Sequence, residues 1–73
     1  MYITITIEAG GAKYSISVDE RQKASALYEI LAKKGFVKGK APKMYKSELL
    51  NEWISTDLTL KEQGVLSGDL LKV

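Results

Sequence analysis

The sequence has 73 residues, enough for one domain, and a chain of this length buries only about 60% of its unfolded surface. Its apolar fraction of 45% and charged fraction of 27% are typical of a folded globular protein and exclude a disordered chain. The chain has no cysteine and no histidine. Disulfide bonds, ordinary zinc sites and the commonest catalytic base are therefore excluded.

Charge is distributed unevenly along the chain. The net charge is +2, but the segment from Lys33 to Lys46 contains six lysines and no acidic residue, which leaves the remainder net negative. This segment is either a loop that its lysines keep soluble or a surface for an acidic partner. Arg21 is the one arginine, the residue type that usually makes bidentate phosphate contacts, so we expect no nucleic-acid partner.

The sequence contains no run of about 20 apolar residues that could span a bilayer. Its start also lacks the charged region of a signal peptide. We therefore expect a cytoplasmic protein that does not insert directly into a membrane.

The first eighteen residues predict a β-hairpin. Two runs of alternating apolar and polar residues flank Gly10-Gly11, a pair typical of a tight turn. The apolar positions that should face the core are Ile3, Ile5 and Ile7 in the first run and Tyr14, Ile16 and Val18 in the second.

A helix is predicted after the hairpin, because the apolar period changes from two towards 3.6. Asp19 and Gln22 have the spacing of a capping box at its start. Its apolar stripe comprises Ala24, Leu27, Ile30 and Leu31. We expect it to end near Lys34, with Gly35 in the left-handed conformation that stops helices.

Phe36 to Pro42 is expected to be an irregular connection, because Gly39 and Pro42 interrupt both apolar periods. The stretch from Met44 to Ser55 allows two structures: two short strands that turn at Asn51-Glu52, or a short helix capped by Ser47. We favour the two strands.

The last fifteen residues predict two further elements. Thr59 to Glu62 forms a capping box, and Gly64 can stop a one-turn helix. Ser67-Gly68-Asp69 then turns into a final strand, Leu70 to Val73, in which Leu71 and Val73 should face the core.

Together these elements predict an α+β fold over residues 1–73, taken as a single domain. A mixed sheet of four to five strands carries one helix across one face, with the first and last strands parallel neighbours, which a helical connection permits. This is the β-grasp arrangement.

The whole chain resembles ubiquitin-like proteins in the order and spacing of its elements. The similarity is most specific in the ending, Thr59-Leu60-Lys61-Glu62-Gln63-Gly64-Val65-Leu66-Ser67-Gly68-Asp69-Leu70-Leu71-Lys72-Val73. Its Met-Tyr-Ile opening, short length and Gly-Val-x-x-Gly-Asp turn are most similar to the YukD-like proteins of bacterial type VII secretion systems. The resemblance implies a cytosolic accessory or regulatory component without enzymatic activity.

The same resemblance places candidate binding residues on the outer face of the sheet. The outward positions would be Tyr2, Thr4, Thr6, Leu70 and Lys72, with Tyr45 or Leu50 as further candidates. We expect Tyr2 and Leu70 to be neighbours, because the first and last strands should pair. Trp53 is another candidate, since tryptophan is enriched at interface hot spots, although it could instead cover the edge of the sheet.

No candidate catalytic site emerges from the sequence. Glu48 and Glu52 would share a face only if that stretch were helical, and Gly10-Gly11 lacks the residues of a phosphate-binding loop. We therefore expect no enzymatic activity, no cofactor and no metal site. The expected partner is a protein, with a membrane subunit of the secretion machine or a second copy of the chain as candidates.

One alternative function belongs to another class. The chain could be a ubiquitin-like modifier or sulfur carrier. Such proteins need a flexible Gly-Gly ending, and this sequence stops at Val73, so this alternative requires that the tail was truncated. The full reading frame distinguishes the two hypotheses, since only the modifier needs that extension.

Overall fold

The computed structural model describes all residues from Met1 to Val73. It contains five strands and one helix. Their bounds are β1 Tyr2–Ala9, β2 Ala12–Asp19, α1 Ser25–Lys33, β3 Met44–Ser47, β4 Glu52–Ser55 and β5 Leu70–Lys72.

The five strands form one mixed sheet in the order β2-β1-β5-β3-β4. β1 pairs antiparallel with β2 and parallel with β5, while β3 pairs antiparallel with both β4 and β5. This is the predicted α+β fold of ubiquitin-like proteins, with the parallel pair in the middle of the sheet. The two-strand interpretation of residues 44 to 55 is confirmed as well, and Asn51 takes a positive φ of 53° just before β4.

One cluster of 13 buried residues forms the core between the sheet and the helix. Alternation within the strands supplies one side of the core, and Leu27 and Leu31, four residues apart on α1, supply the other. The remaining members are Ile3, Ile5, Ile7, Ile16, Val18, Ala24, Tyr45, Ile54, Leu60, Val65 and Leu71.

The predicted end of the helix is correct. The N–H of Gly35 donates to the Ala32 carbonyl, and the N–H of Phe36 donates to the Leu31 carbonyl. This pair of bonds is a Schellman motif, and it needs the left-handed backbone that Gly35 adopts at φ 80°.

The predicted start of the helix is wrong. The helix begins at Ser25 rather than near Asp19, and no side chain caps it. The N–H groups of Ala24 and Ser25 donate instead to the carbonyls of Leu58 and Thr56, in a distant part of the chain. Asp19 belongs to β2, and its carboxylate binds the side chain and backbone N–H of Arg21.

The one-turn helix predicted near the C-terminus is absent, and the segment after Thr59 forms turns. Its capping box nevertheless exists. The N–H of Thr59 donates to Glu62 Oε1 at 2.6 Å, and the N–H of Glu62 donates to Thr59 Oγ1 at 3.1 Å. The box therefore closes a turn instead of starting a helix.

Of the two residues predicted to face the core in the last strand, only Leu71 does so. Leu71 is fully buried, whereas Val73 lies beyond β5 and is 51% exposed. The prediction that Val73 is packed was therefore wrong. The backbone N–H of Val73 still donates to the Glu8 carbonyl, so the chain stays beside β1 while the side chain faces solvent.

Truncation of these two side chains should have unequal effects. Leu71→Ala removes a fully buried side chain from the central strand and should lower the free energy of unfolding by about 2–4 kcal/mol. Val73→Ala, the matched control two residues away, should change it by less than about 1 kcal/mol. Urea denaturation followed by tryptophan fluorescence measures both, and equal losses would contradict the register of β5.

Candidate functional site

The outer face of the sheet, opposite α1, is the candidate binding surface. Strand side chains alternate between the two faces, so the neighbours of the buried residues point away from the helix. These outward residues include Thr4, Thr6 and Glu8 on β1, Met44 and Lys46 on β3, Trp53 on β4, and Leu70 and Lys72 on β5.

Three outward residues stand side by side across this face. Lys72 on β5 lies opposite Lys46 on β3, and Lys46 lies opposite Trp53 on β4. The Lys46 ammonium is 5.9 Å from the centre of the Trp53 ring, within the range of a cation–π interaction. We call these three residues the cationic row. Its tryptophan is 60% exposed, so most of that side chain is available for contact.

An ion pair orients one end of the cationic row. Lys72 Nζ lies 2.7 Å from Glu48 Oε1 in the turn between β3 and β4. The hydrogen bond from Lys72, reinforced by its charge, lowers the pKa of the Glu48 carboxyl and raises that of the Lys72 ammonium. Lys46 has no carboxylate within 4.0 Å. Its charge therefore remains available to an acidic group from outside.

A buried carboxylate fixes the position of this turn. Asp69 is fully buried just before β5, where it accepts hydrogen bonds from the Ser47 hydroxyl at 2.5 Å and from the N–H of Leu49 at 3.1 Å. Ser47 Oγ in turn accepts a hydrogen bond from the N–H of Leu50. Asp69 thus ties the turn that carries Glu48 to the strand that carries Lys72.

The predicted contact between Tyr2 and Leu70 is wrong. Leu70 lies opposite Thr6, four residues further along β1 than Tyr2, which corresponds to about 13 Å of strand. Tyr2 is 71% exposed at the far end of β1, where it lies opposite Asp19. Both side chains are on the outer face, but they do not form one patch.

Tyr45 is excluded from the binding surface. The sequence made it a candidate outward residue, but it is fully buried in the core, and Ser47 shares its face. Burial raises the pKa of the Tyr45 phenol well above its usual value. The Tyr45 hydroxyl has no hydrogen-bond partner, although the Tyr28 backbone lies near enough to oppose this rise in pKa. Leu50, the other further candidate, lies in the turn after β3 and is partly buried against the core.

The other predicted residues, Leu70, Lys72 and Trp53, share the outer face. Lys46 lies between Lys72 and Trp53. Lys46 was not among the residues selected from the sequence. The alternation of residues 44 to 47 could have identified it, because a strand that buries Tyr45 must expose Lys46.

The lysine-rich segment spans the end of α1, the connection and β3. None of its six lysines has a carboxylate within 4.0 Å. Lys46 belongs both to this segment and to the cationic row, so the excess positive charge of the segment continues onto the outer face.

The structure contains no group of three or more acidic residues arranged to hold a metal ion. No helix is both long enough and apolar enough to cross a membrane. The outer face of the sheet presents two cations, Lys46 and Lys72, one aromatic ring, Trp53, and one partly buried leucine, Leu70. Such a set can bind an acidic or apolar segment of another protein.

Comparison with known proteins supports the fold. No protein-family model matches the chain, and no curated protein matches it either. Among solved structures, it is similar to the EccD5 ubiquitin-like domain from Mycobacterium xenopi. The similarity has a TM-score of 0.58 at 18% sequence identity and covers 99% of this chain and 91% of that one. The protein therefore has a ubiquitin-like fold.

Stability should depend on pH at acidic but not at neutral values. Because the chain has no histidine, we expect a plateau between about pH 6 and 8. Hydrogen bonds from Arg21 hold the pKa of Asp19 far below its usual range, and Lys72 lowers that of Glu48. Groups with a depressed pKa stabilise the fold above their unfolded value of about 4, and this contribution is lost as the pH falls through the folded value.

Asp19→Asn removes one of these titrating groups, so it should reduce the loss of stability below about pH 4. Asp57→Asn is the matched control, because Asp57 is exposed and its carboxylate makes no hydrogen bond or salt bridge. Thermal unfolding measured from about pH 2 to 8 tests the expectation. A wild-type transition between pH 6 and 8 would show that a perturbed group had been missed.

Proposed function

We propose that this protein is a non-catalytic ubiquitin-like module that binds another protein through the outer face of its sheet. The observation that carries the proposal is the cationic row, in which an exposed tryptophan lies beside two lysines on neighbouring strands. Tryptophan is enriched among the residues that dominate protein interfaces. The strands already fix the backbone of these residues, so binding has to order only their side chains.

The chemistry of the face indicates what the partner presents. Lys46 has no acidic neighbour within 4.0 Å, and Lys72 is shared with Glu48, so the face can accept one or two carboxylates. Trp53, opposite Lys46, and Leu70, two residues from Lys72 on β5, offer apolar surface near these cations. The expected partner segment therefore combines an apolar anchor with acidic residues.

We infer further that the module belongs to a type VII secretion apparatus as an accessory or regulatory component. Two findings support this inference: the ubiquitin-like ending of the sequence, and the structural similarity to the ubiquitin-like domain named EccD5. In that setting the module works in the cytoplasm, and its partner is a protein subunit of the membrane complex. No cofactor, metal or nucleic acid takes part.

The alternative from another class is a ubiquitin-like modifier or sulfur carrier. Its chemistry requires a Gly-Gly tail that an activating enzyme can reach, so the full reading frame distinguishes it from the binding module. A basic nucleic-acid binder is distinguished by salt, since its affinity would fall steeply as ionic strength rises.

Replacing the exposed tryptophan tests the binding face. Trp53→Ala should leave the free energy of unfolding within about 1 kcal/mol of wild type, because the ring is mostly exposed. It should weaken binding to the partner by about 2 kcal/mol, roughly thirtyfold, if Trp53 is a hot spot. Immobilised protein is incubated with a membrane extract of the source cell, and captured proteins are identified and quantified by mass spectrometry.

Leu58→Ala is the matched control, because Leu58 is also exposed and apolar but lies outside the five strands. It should bind like wild type. If folded Trp53→Ala captures the same protein as strongly, the binding face is elsewhere. If capture depends on Trp53 but the captured protein is no secretion component, the module is retained and its assignment to the apparatus is wrong.

A further inference from the structure

The sheet order leaves two free edges, β4 and β2, and the structure treats them differently. The β4 edge is closed at Ser55 by the side chain of Gln63. Gln63 Oε1 accepts a hydrogen bond from the Ser55 N–H at 2.6 Å, and Gln63 Nε2 donates to the Ser55 carbonyl at 2.7 Å. A single amide therefore occupies the place of a neighbouring strand.

The β2 edge has no such cover. The N–H of Glu20 donates to the Met1 carbonyl, so the even-numbered residues of β2 direct their backbone groups towards β1. The odd-numbered residues direct theirs away from the sheet. No side chain or loop hydrogen-bonds to the backbone of Lys13, Ser15 or Ser17. These residues form a continuous unpaired edge.

This edge also lacks the features that usually prevent strands from pairing. β2 is eight residues long, and it contains no proline and no glycine. Its charged residues, Lys13 and Asp19, lie near the two ends, and the centre carries only Ser15, Ile16 and Ser17. An edge of this kind is a template for another strand.

The sequence of β2 identifies the strand that fits. In an antiparallel pair centred on Ile16, Lys13 stands opposite Asp19 of the second copy, and Ser15 stands opposite Ser17 of the second copy. On the core face, Tyr14 stands opposite Val18 of the second copy. Opposite charges, small polar residues and apolar residues thus meet in matching pairs, and each pair occurs twice by symmetry.

The hydrogen-bond geometry agrees with this register. Antiparallel strands exchange bonds between alternate opposed pairs. A centre at Ile16 opposes odd-numbered residues to odd-numbered residues, whose backbone groups point away from β1. The free groups are those of Lys13, Ser15 and Ser17 and the N–H of Asp19, because the Asp19 carbonyl already accepts the N–H of Gln22. A shift by one residue would oppose free groups to groups already bonded to β1. The backbone therefore requires odd-numbered residues to oppose each other, and the pairing of Lys13 with Asp19 selects Ile16 as the centre among the alignments that meet this requirement.

We propose that two copies of this chain associate through antiparallel pairing of their β2 edges, which joins the two sheets into one of ten strands. The neighbouring charges permit the end contacts. Lys13 is held only by Glu8 at 4.0 Å. Asp19 already binds Arg21 at 2.9 Å and lies 3.7 Å from the Met1 amino group, so the Lys13 of the second copy adds a third cation beside its carboxylate. Phe36, stacked on Tyr14 with ring centres 4.9 Å apart and 53% exposed, adds apolar surface beside the edge.

An interface made by one strand and its flanking side chains is small, so the dimer is weak, in the range of transient contacts. In sedimentation equilibrium, we expect the apparent mass of the protein to rise as its concentration is increased to about 1 mM. The cationic row lies on β5, β3 and β4, at the opposite end of the strand order from β2, so it remains exposed in the dimer.

Two double variants at the same positions test the register. Ser15→Lys with Ser17→Lys places like charges opposite each other twice, so the dimer should dissociate at least about tenfold more readily. Ser15→Lys with Ser17→Glu places opposite charges in the same two contacts and should bind at least as tightly as wild type. In the monomer, Ser15 and Ser17 stand opposite only Thr6 and Thr4, so both variants keep the fold.

The two variants distinguish this dimer from association through a different surface. No rise in mass for wild type at about 1 mM, or a rise that both variants leave unchanged, overturns the proposal. Equal loss of the dimer in both variants also overturns it, because the sign of the charge pair would then not matter. Loss of the dimer in the Lys–Lys variant, with affinity in the Lys–Glu variant equal to or tighter than that of wild type, supports pairing centred on Ile16.

Discussion

The short strand β5 is the element on which the rest of the structure depends. It pairs through three residues with β1 and through two with β3, and it is the only strand between the two hairpins. Backbone bonds at its margins extend the contact: Thr6 donates to Asp69, Glu48 donates to Leu70, and Val73 donates to Glu8. Without these bonds the first hairpin, β1 and β2, and the second hairpin, β3 and β4, would be connected only through the helix and the apolar core.

The candidate binding face is a consequence of that connection. Lys72 lies in one row with Lys46 and Trp53 because β5 pairs with β3 in one register, and the buried Asp69 holds that register through Ser47 and Leu49. A buried carboxylate is tolerated because hydrogen bonds satisfy it, and losing them would leave the charge and its donors unpaired. The function we propose is therefore built on a structural residue that does not itself reach the surface of the partner.

Much of the fold could be predicted because its signals are local. Alternation and Gly10-Gly11 predicted the first hairpin, and Gly35 predicted the helix stop, since each depends on a few adjacent residues. The helix start could not be predicted from spacing, because carbonyls of Leu58 and Thr56 fix it from far along the chain. For the site, Leu70 and Lys72 were predicted correctly to face outward, whereas Trp53 was selected for its residue type and not for its position on a strand. Tyr2 and Leu70 were wrongly placed together because the register of a parallel pair depends on tertiary contacts.

Native-state hydrogen exchange tests the central role of β5 most directly. The Thr6 amide on β1 donates to the Asp69 carbonyl, and the Glu48 amide after β3 donates to the Leu70 carbonyl. Ile5 lies within the first hairpin. If β5 holds the hairpins as one cooperative unit, all three amides should exchange with the free energy of global unfolding. A Glu48 amide that exchanges through a much smaller opening, while Ile5 stays protected, would show that the second hairpin detaches on its own and would contradict this role of β5.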